Sequence, residues 1–327
     1  MNVFVTGGAG YVGCVVVESL VAAGARVVVF DNLSGGHRAA VHPDARFVYG
    51  DLADQAALLQ ALLRHEPDVV MHFAANALVG ESMEAPMLYL GDNLRNGVNL
   101  LEACQEAGVG RFVLSSTANL FSQGGSQPLG ETATIAPASP YGESKYVLER
   151  MLGWLDRLGK MRFVALRYFN AAGASADRGE DHFPESHLIP RALQVAQGIR
   201  DRLTIFGDDY DTRDGTCVRD YVHVLDLAAA HVLALEVLDS RSRTYNLGSG
   251  EGVSVRQVLA AVEEVTGRAI AVEMGPRRAG DPDVLIAAHE AIAVELGWRP
   301  RRSCLASIIE SAWGWRERNP WGYRMEP

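Results

Sequence analysis

The chain has 327 residues, of which 48% are hydrophobic and 21% charged, with a formal net charge of −10. That is globular composition, long enough for one large domain and a smaller one, and an acidic chain without a basic tract is a poor partner for nucleic acid. The scattered cysteines Cys14, Cys104, Cys217 and Cys304 form no Cys-x-x-Cys pair, which argues against a zinc site or disulfide framework and for reduced, buried thiols in a cytoplasmic protein.

Met1 leads at once into an apolar strand, Asn2–Thr6, so no signal segment is read there. No apolar run is long enough to span a bilayer. The strand runs into Gly7-Gly8-Ala9-Gly10-Tyr11-Val12-Gly13, and a helix follows to about Ala23. Further strands are predicted over Arg26–Phe30, Arg46–Tyr49, Asp68–Phe73, Arg111–Ser115 and Arg162–Arg167, and helices near Gln55–Arg64, Met83–Ala107 and after Ser139. Alternation of this kind implies right-handed crossovers and a doubly wound, parallel α/β sheet.

Beyond Asn170 the pattern changes. Residues 171–183 read as a polar loop, and Leu188–Gln197 and Val224–Leu238 as helices. Leu203–Phe206, Thr244–Leu247 and Ala269–Glu273 read as strands, and Ser254 caps a helix to Thr266. Trp298, Trp313, Trp315 and Trp321 are expected to pack in the core. The expected division is a dinucleotide-binding domain, 1–175 plus about 220–248, and a smaller lobe, about 176–219 plus 249–327.

The glycine loop sits between strand and helix, where a dinucleotide fingerprint belongs. Its glycines permit a tight turn and close approach of a pyrophosphate to the helix N-terminus. Asp31 ends the second strand, where a carboxylate bonds ribose hydroxyls and repels a 2′-phosphate, favouring NAD over NADP. Asp51 ends the third strand and is a candidate for the adenine edge; a solvated strand-end carboxylate is the competing reading. Ser115-Ser116-Thr117 closes the fifth strand at its carboxyl end, where such sheets bind ligands.

Ser139-Pro140-Tyr141-Gly142-Glu143-Ser144-Lys145 opens a helix, with Ser139 as cap and Pro140 in its first turn. Tyr141 and Lys145 lie four apart, on one face. An ammonium nearby favours the phenolate, which makes Tyr141 a candidate general base. The spacing also arises by chance on solvated helix faces. Here the chain has only two lysines, Lys145 and Lys160, which points to a role that arginine does not fill.

Taken with Thr6–Gly13, Asp31–Ser34, His72–Ser82, Ser115–Ala118, Arg167–Gly173, Val218–Leu227, Tyr245–Gly250 and Arg277–Asp281, these residues resemble the UDP-glucose 4-epimerase family of the extended short-chain dehydrogenase/reductase superfamily. The resemblance spans nearly the whole chain. It implies an NAD-dependent isomerase acting on a UDP-sugar, as a cytoplasmic homodimer without resident metal. Thr117, Tyr141 and Lys145 would be catalytic. Gly7, Gly10, Tyr11, Val12, Gly13, Asp31, Asn32, Asp51, Leu52, Phe73, Ala74, Ala75, Asn93, Ser115 and Tyr168 would contact NAD, together with Tyr141 and Lys145. Asn170, His187, Leu188, Arg219, Arg278 and Asp281 would hold the sugar nucleotide with Thr117 and Tyr141.

The chain departs from the family pattern at Leu120-Phe121-Ser122, at Ala77 and at His187. Leu285 stands where a bulkier residue in some members limits the sugar C2 substituent, which leaves room for an N-acetyl group; UDP-N-acetylhexosamines, and separately UDP-pentoses, are the alternative substrates. A 4,6-dehydratase would need an acid and a base after Thr117, where Ala118-Asn119 stand. A plain dehydrogenase, or a non-enzymatic dinucleotide sensor, completes the set of rival readings.

Overall fold

The computed structural model describes residues 1–121, 128–278 and 281–324. In chain order its elements begin with β1 (Asn2–Thr6), α1 (Tyr11–Ala22), β2 (Arg26–Asp31), β3 (Arg46–Tyr49), α2 (Gln55–His65) and β4 (Val69–His72). Then come α3 (Val79–Glu84), α4 (Leu94–Glu106), β5 (Arg111–Thr117), α5 (Pro140–Arg157), β6 (Arg162–Tyr168) and β7 (Asn170–Ala172). The remainder is α6 (Leu188–Ala196), β8 (Leu203–Phe206), β9 (Val218–His223), α7 (Val224–Val237), β10 (Arg243–Leu247), β11 (Gly252–Ser254), α8 (Val255–Thr266), β12 (Val272–Gly275), β13 (Val284–Leu285), α9 (Glu290–Leu296) and α10 (Leu305–Arg318).

The largest sheet has seven strands in the order β10-β6-β5-β4-β1-β2-β3. β1 pairs in parallel with β2 and β4, β2 with β3, and β4 with β5. Strand order therefore reverses at β1 and β4, the switch point where doubly wound sheets bind ligands. All four residues of β4 are buried, as expected when helices cover both faces of a parallel sheet. Phe4, Phe30, Leu58, Leu62, Leu100, Phe112, Leu148 and Leu152 pack one core face.

The chain divides into two compact units. The first comprises Met1–Leu120, Ala136–Arg167 and Ala228–Tyr245, and the second Phe121–Ile135, Tyr168–Leu227 and Asn246–Pro327. Residues 121–135, 168–175, 220–227 and 246–248, expected from sequence in the dinucleotide-binding part, thus group with the second unit. There β9 is the hub, pairing with β7 and β13 in parallel and with β11 antiparallel. β8 and β12 form a separate parallel pair. Ile189, Leu193, Ile205, Val258, Val262, Ile308 and Ile309 make this unit's core.

Several sequence expectations need correction. The single helix expected over Met83–Ala107 is broken after Glu84, and a π-helical turn, Leu88–Asn93, leads into α4. Pro86 supplies the reason, since it has no N–H for a continuous ladder. The strand expected over Ala269–Glu273 lies at Val272–Gly275. Trp298 and Trp315 are buried, but Trp313 is half-buried and Trp321 exposed. Cys14 and Cys104 are buried thiols, whereas Cys217 is half-buried and Cys304, at the N-cap of α10, is exposed.

Candidate active site

β1 turns into α1 through Gly7, whose φ of 74° is left-handed backbone. A Cβ on Gly7 would lie 2.3 Å from the Ala74 nitrogen, and one on Gly13 2.3 Å from the Gly7 carbonyl oxygen. The loop is therefore a cradle that only bare backbone forms. Gly10 is the N-cap of α1 and provides no side-chain cap, so the first N–H groups face outward for an anion. Tyr11 and Val12 begin the helix.

Asp31 is buried at the end of β2, its Oδ2 accepting from the Ala9 N–H (3.0 Å) and Oδ1 from the Leu33 N–H (2.8 Å). Burial raises its pKa, and those two N–H groups pull it back. Each oxygen keeps a lone pair for a ribose hydroxyl. Asp51 is exposed and is held by the Asn32 amide (2.8 Å) and the Ala53 N–H (2.8 Å), next to buried Leu52. Phe73 and Ala74 donate their N–H groups to the Thr6 carbonyl, which carries the chain past β4 beside the glycine loop, with Ala75 following. Asn93, buried at the end of the π-helical turn, bonds both backbone groups of Asn76 and the Ser144 hydroxyl. These features fit a dinucleotide: the cradle, the uncapped helix end and the carboxylate that closes β2 lie at the carboxyl ends of the neighbouring strands β1 and β2.

The Ser139 hydroxyl accepts from the Gly142 N–H (3.1 Å) and starts α5, with Pro140 in its first turn. That places Tyr141, Lys145 and Glu149 one turn apart and all buried. The Tyr141 phenol is hydrogen-bonded to Thr117 at the end of β5. Lys145 donates its ammonium to the Ser115 carbonyl (2.9 Å). From the sequence, Lys145 was expected to depress the phenol. Instead, burial pushes Tyr141 up to about 12, the Thr117 hydrogen bond only partly offsetting it, and burial brings Lys145 down to about 8.

Further groups support this trio. Glu149 accepts the Ser116 hydroxyl (2.5 Å) and pairs with Arg167 (2.6 Å), neutralising a buried charge behind β5. His72 bonds the Thr6 hydroxyl (2.8 Å). Burial, then Lys145, lowers His72 to about 3. The edge of Tyr89 meets the Tyr141 ring at 6.4 Å, and the Tyr89 hydroxyl donates to Glu81 (2.5 Å). Glu149 escaped the sequence reading, although its place four residues after Lys145 puts it on the same helix face. Tyr89 and His72 carried no such signal, because their partners come from other elements.

In the second unit, Asn170 lies on β7 and hydrogen-bonds Tyr221, and Tyr168 is buried at the end of β6. Arg219, on β9, is ion-paired with Asp281; burial opposes its charge, but Asp281 raises its pKa. Arg278 stacks over Phe206 at 4.2 Å. His187 is the N-cap residue of α6, just before Leu188. Burial works against its charge, yet Glu180 and Glu185, at 2.7 and 3.2 Å, lift it to about 10. Arg191 escaped the sequence reading: its Nε is buried without a hydrogen-bond partner, and Arg200 and Arg278 act on it as like charges. Three arginines gathered in this way are a basis for anion binding.

Leu120 and Phe121 are buried, whereas Ser122 lies outside the described residues, as do Ala279 and Gly280 of the Arg277–Asp281 stretch. Ala77 is exposed. Leu285 is buried in β13, in register with Arg219.

Residues 3–248 match the profile of the NAD dependent epimerase/dehydratase family. The chain is 49% identical to a UDP-glucose 4-epimerase of Lacticaseibacillus casei over 99% of both chains. It superposes with a TM-score of 0.92 on the crystal structure of UDP-glucose 4-epimerase from Brucella ovis in complex with NAD, at 44% identity over 96% of this chain and 97% of that one. Against the UDP-glucose 4-epimerase from Bifidobacterium longum in complex with NAD+ and UDP, the TM-score is 0.95 at 33% identity, over 98% and 100% of the chains. With the cradle, the carboxylate after β2 and the buried tyrosine in place, and with most of its length matched, the chain belongs to the NAD dependent epimerase/dehydratase family.

Proposed function

We propose that the chain interconverts UDP-glucose and UDP-galactose by inverting the hydroxyl at C4, with NAD retained through the cycle. The observation that carries this reading is a buried phenol, Tyr141, hydrogen-bonded to Thr117, with Lys145 one helical turn on. Relatives matched over their whole length are named for UDP-glucose.

The first unit provides the NAD site. Gly7, Gly10, Tyr11, Val12 and Gly13 receive the pyrophosphate, Asp31 and Asn32 the ribose, and Asp51 and Leu52 the adenine. Phe73, Ala74, Ala75, Asn93 and Ser115 complete the contacts, and Lys145 bonds the nicotinamide ribose. NAD, when bound, supplies a reversible hydride acceptor and a ring bearing positive charge. That charge favours the phenolate, countering the burial that raises Tyr141.

Tyr141 takes the proton of the 4-hydroxyl while Thr117 donates to the same oxygen. Tyr141 later returns the proton to the 4-oxygen of the inverted sugar. No net oxidation results, so the two half-reactions balance within one cycle. The residues that hold the UDP moiety in this reading are Asn170, His187 and Leu188, with Arg219, Arg278 and Asp281. Arginine suits a diphosphate because its planar fork donates two parallel hydrogen bonds.

Ala118-Asn119 offer no acid–base pair for a dehydratase. The names of the relatives do not favour the N-acetylhexosamine or pentose alternatives. No helix among the described residues is long and apolar enough to cross a membrane. Trp154 and Leu158, exposed on and just after α5, support a homodimer face.

The test is incubation of purified protein with UDP-glucose and no added cofactor. UDP-galactose should form without accumulation of reduced nicotinamide. A requirement for stoichiometric NAD, or a 4-keto-6-deoxy product, would overturn the reading.

A further inference from the structure

We propose that Glu180, His182, Glu185 and His187 form a binding site for a divalent transition-metal ion of the zinc class. Each offers one ligand atom, and the four atoms lie within 4.8 Å of one another. His187 Nδ1 is 2.7 Å from Glu180 Oε1 and 3.2 Å from Glu185 Oε1, and His182 Nδ1 is 3.1 Å from Glu180 Oε1. A tetrahedral zinc with bonds of about 2.0–2.1 Å sets its ligand atoms about 3.3 Å apart. Two of these contacts are already near that length, and the third, His187 to Glu180, is shorter by about 0.6 Å.

Glu185 adds an independent observation. Its side chain is 2% exposed, and Oε2 has no hydrogen-bond partner. That oxygen lies 4.0 Å from the Arg316 guanidinium, and Arg191 also acts on the Glu185 charge, but neither donates a hydrogen bond to it. A buried carboxylate oxygen without a hydrogen bond costs free energy that a coordinated cation recovers. Solvent reaches the cluster through the histidines, whose side chains are 28% and 48% exposed.

The segment is shaped without the ion. Glu185 Oε1 accepts from the Ser186 and His187 N–H groups (2.8 and 2.9 Å), and the Arg316 guanidinium donates to the Glu180 carbonyl (3.3 Å). Gly179 lies flat on Trp315, where a Cβ would come within 2.3 Å of the ring. Two imidazoles with two carboxylates suit zinc, cobalt or nickel, whereas magnesium and calcium take oxygen ligands. Neither the cysteine spacing nor the family resemblance points to a metal; these ligands follow Glu-x-His-x-x-Glu-x-His.

The experiment needs no turnover, so its outcome is separate from that of the sugar-nucleotide reading. Chelator-treated full-length protein is titrated with Co2+, followed by its visible spectrum, and with Zn2+, followed by calorimetry. One ion per chain is expected, with the intense bands of four-coordinate cobalt. His182→Ala and Glu185→Gln should each weaken binding at least ~10-fold, the lower end of what even outer-sphere partners cost. Zn2+, and not Mg2+, should raise the melting temperature of the wild type. If His182→Ala fails to fold, His182→Asn and Glu185→Gln still report. An adventitious ion only, bound weakly or equally by wild type and variants, overturns the proposal.

Discussion

Tyr141 combines two opposed demands. Burial shields the phenol from water and raises its pKa to about 12, which makes it a poor base until positive charge arrives beside it. Tyr141→Phe keeps the ring and removes the oxygen. Turnover should fall at least ~100-fold, the scale of losing a general base, while circular dichroism stays that of the wild type. Near-normal turnover would remove Tyr141 from the scheme.

His72 gives a second expectation at this scale. It is buried with a pKa near 3, against an ordinary value of 6.5. Below pH 6.5 the unfolded chain takes up a proton that the folded chain refuses, so stability falls as pH drops from 6.5 towards 3. The loss from this one group is about 2 kcal/mol at about pH 5. In urea unfolding, His72→Asn should therefore lose less stability than the wild type between about pH 7.5 and about pH 5, by that amount. Equal losses would show that His72 is not held neutral.

At the scale of elements, α5 depends on how its first turn meets the 3-10 turn Ala118–Leu120. A Cβ on Gly142 would lie 2.2 Å from the Asn119 carbonyl oxygen. Gly142→Ala should push the start of α5 away and carry Tyr141 with it. Melting temperature and turnover should fall together. Ser139→Ala instead removes a cap worth about 1 kcal/mol, lowering the melting temperature with little change in turnover. If the two variants behaved alike, the position of Tyr141 would not depend on this contact. In the second unit, Asp220 has a comparable role. Its carboxylate accepts from the N–H groups of Ser249, Gly250 and Ala287, at 2.7, 2.9 and 3.0 Å, and so ties β9 to the turn before β11 and to the end of β13.

At the scale of the molecule, the surface of α5 bears on assembly. Trp154 is 55% exposed and Leu158 64% exposed. Large apolar groups left in water at one helix end suit a second copy of the chain. On the proposed homodimer, Trp154→Glu should shift the sedimentation of the protein from two copies of the chain to one. An unchanged species would place the interface elsewhere.

By itself the sequence determined the α/β class, the boundaries of β1, β3, β8 and α8, the glycine cradle, Asp31 and the Tyr141–Lys145 helix. These are local: they depend on period, caps and backbone freedom within a few residues. What it concealed has a single cause. β9 reads as Val-Arg-Asp-Tyr-Val-His, a mixed run whose Asp220 becomes compatible with a strand only when three distant N–H groups surround it. Likewise the direction of the Tyr141 shift was set by burial, and the gathering of Glu180, His182, Glu185 and His187 by the packing of α10 behind them. Desolvation and convergence of charges depend on which elements meet, and only the tertiary structure decided that.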